Sequence, residues 1–173
     1  ILAQIFCIQR GELTRLLIYK GLSTTLSARL GLHQSQKRFA LGTLTCETRK
    51  KVFWTLTLLL VGFDDRCTKD RYANFTFSFS SVVLGLPKNI KDDDVHCEYP
   101  VDADDEYVTE RGFQPTLPGE STKLSSALAL FRVSRILSKV LEEVYPAKAS
   151  YDLSLKKLAD LSDELDNWHS ALP

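Results

Sequence analysis

Apolar positions along the chain fall into five helical patterns and one alternating one. The densest lies in Glu47 to Asp65, ETRKKVFWTLTLLLVGFDD. Val52, Phe53, Leu56, Leu59, Leu60 and Phe63 form one helical stripe, while Trp54, Leu58 and Val61 sit on the opposite side. A helix apolar nearly all round is either packed on several sides or spans a membrane. The uncharged run from Val52 to Phe63 is too short to cross a bilayer, which takes about 20 residues. The stretch therefore predicts a buried central helix, N-capped by Thr45, with Glu47 in its first turn where the helix dipole favours a carboxylate.

Ahead of it, Ile1 to Gln9 carries Ile1, Ile5 and Ile8 on one side, and Gly11 interrupts it. A second helix starts near Leu13 and continues through Ile18, Leu22, Leu26 and Leu30, spaced four apart. Small residues around Gly21 and Ser23-Thr24-Thr25 allow close packing, and Gly31 suits a C′ position. His33 to Thr45 is polar and predicts a loop. Beyond the central helix, Phe75, Phe77 and Phe79 alternate with Thr and Ser, a strand-like period in an otherwise helical chain. Gly85-Leu86-Pro87 breaks that stretch, and Lys88 to Gly119 shows no sustained periodicity. Acids cluster there at Asp92 to Asp94 and at Asp102, Asp104, Asp105 and Glu106.

Helix returns at Ser121. Leu124, Leu128, Phe131 and Arg135 share a line, while Val133, Ile136, Leu137, Val140, Leu141 and Val144 make a cleaner stripe. Pro146 closes it. A last helix nucleates near Ser150 or Asp152, with Leu158, Leu161, Leu165, Trp168 and Leu172 on a heptad-like seam. The short connection predicts an antiparallel hairpin. The expected architecture is all-α: an irregular multi-helix bundle with a central buried helix and a long acidic loop. It divides into a helical core over 1–66, an irregular stretch over 67–119 and a C-terminal hairpin over 120–173.

Charge and composition narrow the functional classes. With 22 Lys+Arg against 22 Asp+Glu, the chain lacks the basic excess of a free-standing nucleic-acid binder. It starts at Ile1 and contains no Met, which reads as part of a longer protein. The apolar start has no basic n-region, so no signal peptide is expected. Cys7, Cys46, Cys67 and Cys97 are widely separated, without the close pairs of zinc sites, and read as reduced thiols. Asn74-Phe75-Thr76 matches a glycosylation sequon, a triplet common by chance.

His33, His96 and His169 form no metal or catalytic motif. His96 and Cys97 beside Asp92, Asp93 and Asp94 come nearest to a metal cluster. A calcium loop counted from Asp92 would need Gly at position 97 and Glu at 103, where Cys97 and Ala103 stand. Asp64 and Asp65 read as carboxylates ending an apolar helix rather than as acid/base groups. No catalytic, cofactor-binding or metal residue is assigned, and no enzyme activity is expected. A fragment of a helical enzyme and a plain helical scaffold are the competing readings.

One ordered series carries a resemblance. Gly21-Leu22 leads to Arg29-Leu30-Gly31-Leu32-His33. Then come Glu47-x-Arg49-Lys50-Lys51-Val52-Phe53-Trp54, Asp64, Leu84-Gly85-Leu86-Pro87, Ile90-x-Asp92-x-Asp94 and Pro100. The series resembles the regulatory middle homology region, or fungal-specific transcription factor domain, of Zn2Cys6 binuclear zinc-cluster transcription factors. It covers Ile1 to Val101. The helices after Ser121 fit in type but carry no specific motif. Thr24 and Thr25 depart from the family's small apolar residues, and Cys67 to Ser80 is longer and more aromatic than usual.

The resemblance implies a nuclear regulatory domain of a transcription factor. Other domains of the same factor, protein partners and a small-molecule effector are its expected contacts, with no membrane. DNA would be read by a separate N-terminal domain holding the zinc. This chain has no C-x2-C-x6-C run, so zinc is expected there and not here. The motif residues implied are Arg49, Lys50, Lys51, Phe53, Trp54, Asp64, Gly85, Pro87, Asp92 and Asp94. The basic triplet would anchor the central helix by pairing with acids, including those of the Asp92 to Asp94 loop. Phe53 and Trp54 would lock it into the core, and Gly85 and Pro87 would fix the turn.

Overall fold

The computed structural model describes residues 1–61, 92–115, 122–144 and 154–172. Over these the chain is mostly α-helical, as the periodicities predict. The helices are α1 (Leu2–Arg10), α2 (Leu13–Arg29), α3 (Thr43–Val61), α4 (Leu124–Val144) and α5 (Leu155–Ser170). Single 3-10 turns stand at Gln36–Arg38, Asp92–Asp94 and Asp105–Tyr107. The Phe75 to Phe79 alternation, Asp64, Asp65, Cys67, Gly85 and Pro87 lie outside the described residues.

α3 is the hub. α2 and the 36–38 turn pack on it from one side, α4 from another, and a short hairpin meets its start. That hairpin pairs β1 (Val108–Thr109) with β2 (Gly112–Phe113), antiparallel, with Gly112 at φ 139°. α3 begins at Thr43, ahead of the expected Thr45 cap. The cause is external: Thr43 N–H donates to Glu110 O at 3.4 Å, so the hairpin supplies an acceptor for the first turn.

Phe53 and Trp54 are fully buried and centre the core with Leu32, Cys97, Leu128 and Phe131. The rings of Trp54 and Tyr99 stack at 4.3 Å, and Phe53 meets Trp54 edge-on at 5.4 Å. The apolar-all-round pattern of α3 is thus satisfied by burial on both sides.

In α4 the deepest line is Leu128, Phe131, Ser134 and Ser138, while the cleaner stripe through Val133, Ile136, Leu137 and Val140 is only half-buried. On the seam of α5 only Leu161 and Trp168 are half-buried, while Leu158, Leu165 and Leu172 are exposed. α5 is held to α4 by polar contacts. Trp168 Nε1–H donates to Ala129 O at 2.9 Å, and Lys139 pairs with Glu164 at 2.5 Å.

α1 and α2 form a helical hairpin turned at Gly11, whose φ of 67° is the left-handed region. Their mutual face is polar. Gln4 Nε2–H donates to Ser23 Oγ at 2.9 Å, and Thr24 and Ser27 are buried. Leu16 and Cys7 are the buried apolar groups. Ile18, Leu22, Leu26 and Leu30 point the other way and remain 53–58% exposed. Gly31, at φ 64°, ends α2 in the expected left-handed C′ conformation.

Candidate functional site

The residues of the basic triplet at the start of α3 go three different ways. Arg49 reaches back to α2. Its Nη2–H donates to Leu30 O at 2.6 Å, satisfying a carbonyl just past the helix end, where a cation also meets the negative end of the dipole. Its Nε–H donates to Gln36 Oε1 at 2.6 Å, and its guanidinium lies 5.0 Å from the Phe39 ring centroid. Gln36 is 1% exposed and donates in turn to the carbonyls of Gln34, Leu32 and Gly31. One buried amide thus closes the 31–36 loop and receives Arg49.

Lys50 stays on its own helix and pairs with Glu47 at 2.8 Å, with side chains only 12% and 5% exposed. The other oxygen of Glu47 accepts from Val101 N–H at 2.8 Å. Lys51 reaches Asp105 at 2.6 Å, where the carboxylate is 87% exposed, so that pair contributes little. The acids meeting these cations are therefore Glu47 and Asp105. Among the described residues no ion pair links the triplet to Asp93 or Asp94, which are exposed. Asp92 lies in the 3-10 turn.

Residues 95–101, without regular secondary structure, pass along this cluster. His96 N–H donates to His33 O at 2.8 Å. Trp54 Nε1–H donates to Glu98 O at 3.0 Å. The Glu98 carboxylate takes Ser35 Oγ–H at 2.5 Å and Gln36 N–H at 3.3 Å, with Lys37 at 3.9 Å. Burial pushes its pKa up, but the hydrogen bonds from Ser35 and the backbone outweigh it and hold the carboxyl below its ordinary value. Glu47 and Glu98 thus sew this segment to both α3 and the 33–36 loop.

Glu98 and Gln36 were not singled out from the sequence. Gln36 is one polar residue in a polar loop, with nothing to mark it as buried. Glu98 did carry a signal, being a lone charge within Val95, Cys97, Tyr99 and Pro100.

The acids of 102–105 also have local work. Asp104 Oδ1 accepts from Lys123 N–H at 2.9 Å at the start of α4, Thr122 Oγ1 caps the helix by accepting from Ser125 N–H at 3.2 Å, and Asp102 accepts from the Thr122 hydroxyl and holds that cap in place. His96 and Cys97 do not assemble with carboxylates. His96 is exposed, whereas Cys97 is 5% exposed, with burial pushing its thiol up to about 12. Cys7, Cys46 and Cys97 are free. Among the described residues no group of His, Cys, Asp and Glu side chains is arranged to hold a metal ion. No described helix is long and apolar enough to cross a membrane. Zinc does not fit the donor sets described here.

A cleft of about 400 Å³ opens between α4 and α5. Tyr99, Arg132, Arg135, Ile136, Lys139 and Trp168 are on its walls. Burial raises the Tyr99 pKa, against the pull of Arg135, which hydrogen-bonds it, and of Arg132 and Lys139 nearby.

What this arrangement offers is a cross-braced helical unit with a cleft. Comparison with known proteins defines the class as transcription regulators. The "Transcriptional activator protein acu-15" of Neurospora crassa is 57% identical over 173 residues, all of this chain and 17% of that protein. The "ABC-transporter-regulating transcription factor" of Aspergillus fumigatus is 30% identical over 151 residues, 86% of this chain and 14% of its own length. "Activator of stress genes 1" of Saccharomyces cerevisiae is 28% identical over 160 residues, 90% and 15% respectively. The chain spans about a sixth of the length of these relatives.

A family model described as the fungal specific transcription factor domain matches residues 78–170, more than half of the chain. The chain belongs to that family. The match takes in α4 and α5, which carry no motif of their own, and starts beyond the Glu47 to Trp54 signature. No solved structure matches.

Proposed function

We propose that this chain is a regulatory domain of a nuclear zinc-cluster transcriptional activator, acting through contacts with other domains and protein partners and performing no catalysis. Family membership carries the reading. The 57% identity to a protein named a transcriptional activator supports the activating sense. The balance of 22 basic and 22 acidic residues supports leaving DNA contact, and zinc, to a separate N-terminal domain. The chain acts as one unit, with α3, residues 95–101 and α4 sharing one core. Arg49, Phe53 and Trp54 hold α3 in register with its neighbours, and Lys50 neutralises Glu47, which bonds Val101. Lys51, Asp92 and Asp94 are peripheral to that bracing. Asp64, Gly85 and Pro87 take their roles from the family resemblance alone.

The test is deletion of residues 1–173 from the full-length protein, with promoter occupancy and reporter transcription read in parallel. Transcription should change while occupancy persists. Loss of occupancy, together with sequence-selective duplex binding by this chain at physiological salt, would overturn the proposal.

A small organic effector in the α4–α5 cleft extends this reading. The cleft is within the size range of ligand pockets and combines an indole, a phenol and the guanidinium groups of Arg132 and Arg135, with Lys139 on its wall paired to Glu164. Benzoate serves as a probe anion. It should raise the melting temperature of the protein, and Arg132→Ala with Arg135→Ala should abolish the rise. An unchanged melting temperature in the unsubstituted protein would dismiss the cleft as an anion site.

A further inference from the structure

α2 is inverted relative to an ordinary surface helix. At 3.6 residues per turn, Leu16, Lys20, Thr24 and Ser27 share the face turned to the protein. Leu16, Thr24 and Ser27 are buried there, and burial lowers the pKa of Lys20. Ile18, Leu22 and Leu26 lie on the opposite face, with Leu30 continuing the line beyond the helix. They are 58%, 56%, 53% and 58% exposed. Burying hydroxyls while presenting four large aliphatic side chains to water gives up transfer free energy unless that face is covered.

Charge identifies the cover. By the same geometry Arg15 and Arg29 project among these residues, and both are exposed. The only acid in α1, α2 or their connection is Glu12, which already meets Arg10 and Arg15. A second copy of the chain would set arginines against arginines. An amphipathic helix with acidic flanks to its apolar stripe matches both features. Such a helix need not come from another molecule, since the relatives carry more than four-fifths of their length outside the part this chain matches. A tethered segment also binds at high effective concentration.

We propose that the Ile18–Leu22–Leu26–Leu30 face of α2 is the docking site for an acidic amphipathic helix of the same polypeptide, outside these 173 residues. This rests on the reading of the chain as a regulatory domain that works through interdomain contacts.

The experiment uses the full-length protein with the photocrosslinker p-benzoylphenylalanine at position 22 or 26, followed by peptide mapping. The expected product is an intramolecular crosslink, at monomer mass, to an acidic amphipathic segment outside residues 1–173. In the same protein, Arg15→Glu with Arg29→Glu should cut its yield about tenfold, because the Arg29 rim contact becomes repulsive and Arg15, which also meets Glu12, no longer offsets the acid there. Both positions are exposed, so the fold should persist, with the far-ultraviolet circular dichroism unchanged. A crosslink to a second copy, to a separate protein, to a non-acidic segment or to any residue within the 173 overturns the proposal, as does no crosslink at all. Reporter output is read in parallel with Trp54→Ala. If Trp54→Ala alters transcription while the α2 crosslink fails, the regulatory reading stands and the docking site falls.

Discussion

Truncating Trp54 to Ala tests the packing argument directly. The indole is 0% exposed and sits between Phe53, Tyr99 and Phe131, with ring centroids 5.4, 4.3 and 6.2 Å away. Its N–H holds Glu98 O at 3.0 Å, so the substitution opens a cavity and removes one of the bonds to the 95–101 segment. Large aromatic core truncations cost about 3–5 kcal/mol, and the freed carbonyl keeps the total at the upper end of that range. With a urea m-value of about 2 kcal/mol/M, the midpoint should fall by about 1.5–2.5 M. Trp54→Phe keeps a ring in the stack and loses mainly the N–H bond, so about 1–3 kcal/mol is expected. A loss below about 1 kcal/mol for Trp54→Ala would refute the placement of Trp54 at the centre of the core. Equal losses for the Phe and Ala variants would show that the hydrogen bond, and not packing volume, dominates.

Glu47→Ala should cost about 3–5 kcal/mol in urea unfolding, because the nearly buried Lys50 ammonium loses its anion and Val101 N–H its acceptor. Glu47→Gln keeps an acceptor and should cost less. The depressed Glu98 pKa stabilises the fold at neutral pH, and this contribution is lost as pH falls from 4.5 downward through the folded value. Glu98→Gln should flatten that part of the acid decline in the urea midpoint; an unchanged profile would count against the role given to the Ser35 and Gln36 hydrogen bonds. The Cys97 thiol, pushed up to about 12, should resist iodoacetamide in the native protein at about pH 8 while half-buried Cys46 reacts first. Cys97 should become reactive once urea unfolds the chain.

The hub helix was legible because α3 is apolar on opposite sides, and only burial on both satisfies such a helix. Its aromatic pair was legible for the same reason. The faces of α2 and α4 were not. A stripe such as Ile18, Leu22, Leu26 and Leu30 says what a helix would bury, but not whether these residues supply the cover. In α4 the cleaner stripe lost the core to Leu128 and Phe131, because volume opposite Trp54 decides the packing, and Ser134 and Ser138 follow by helical geometry. The basic triplet was expected to pair with acids, including Asp92 to Asp94, yet adjacent positions diverge by about 100° around a helix, so its members meet a backbone carbonyl, an intrahelical acid and a distant acid. Partners 52 or more residues away, such as Val101 and Glu98 for Glu47 and Gln36, leave no local periodicity to read.

The bracing of α3 also sets a timetable for synthesis. Trp54 finds its acceptor 44 residues later, Glu47 its donor 54 later, and Ser35 its carboxylate 63 later. At about 5–20 residues translated per second, Trp54 waits roughly 2–9 s before Glu98 has even been made. During that interval α3 lacks the 95–101 segment that covers its indole. The nascent Val52 to Val61 stretch is therefore a target a ribosome-associated chaperone would meet during synthesis.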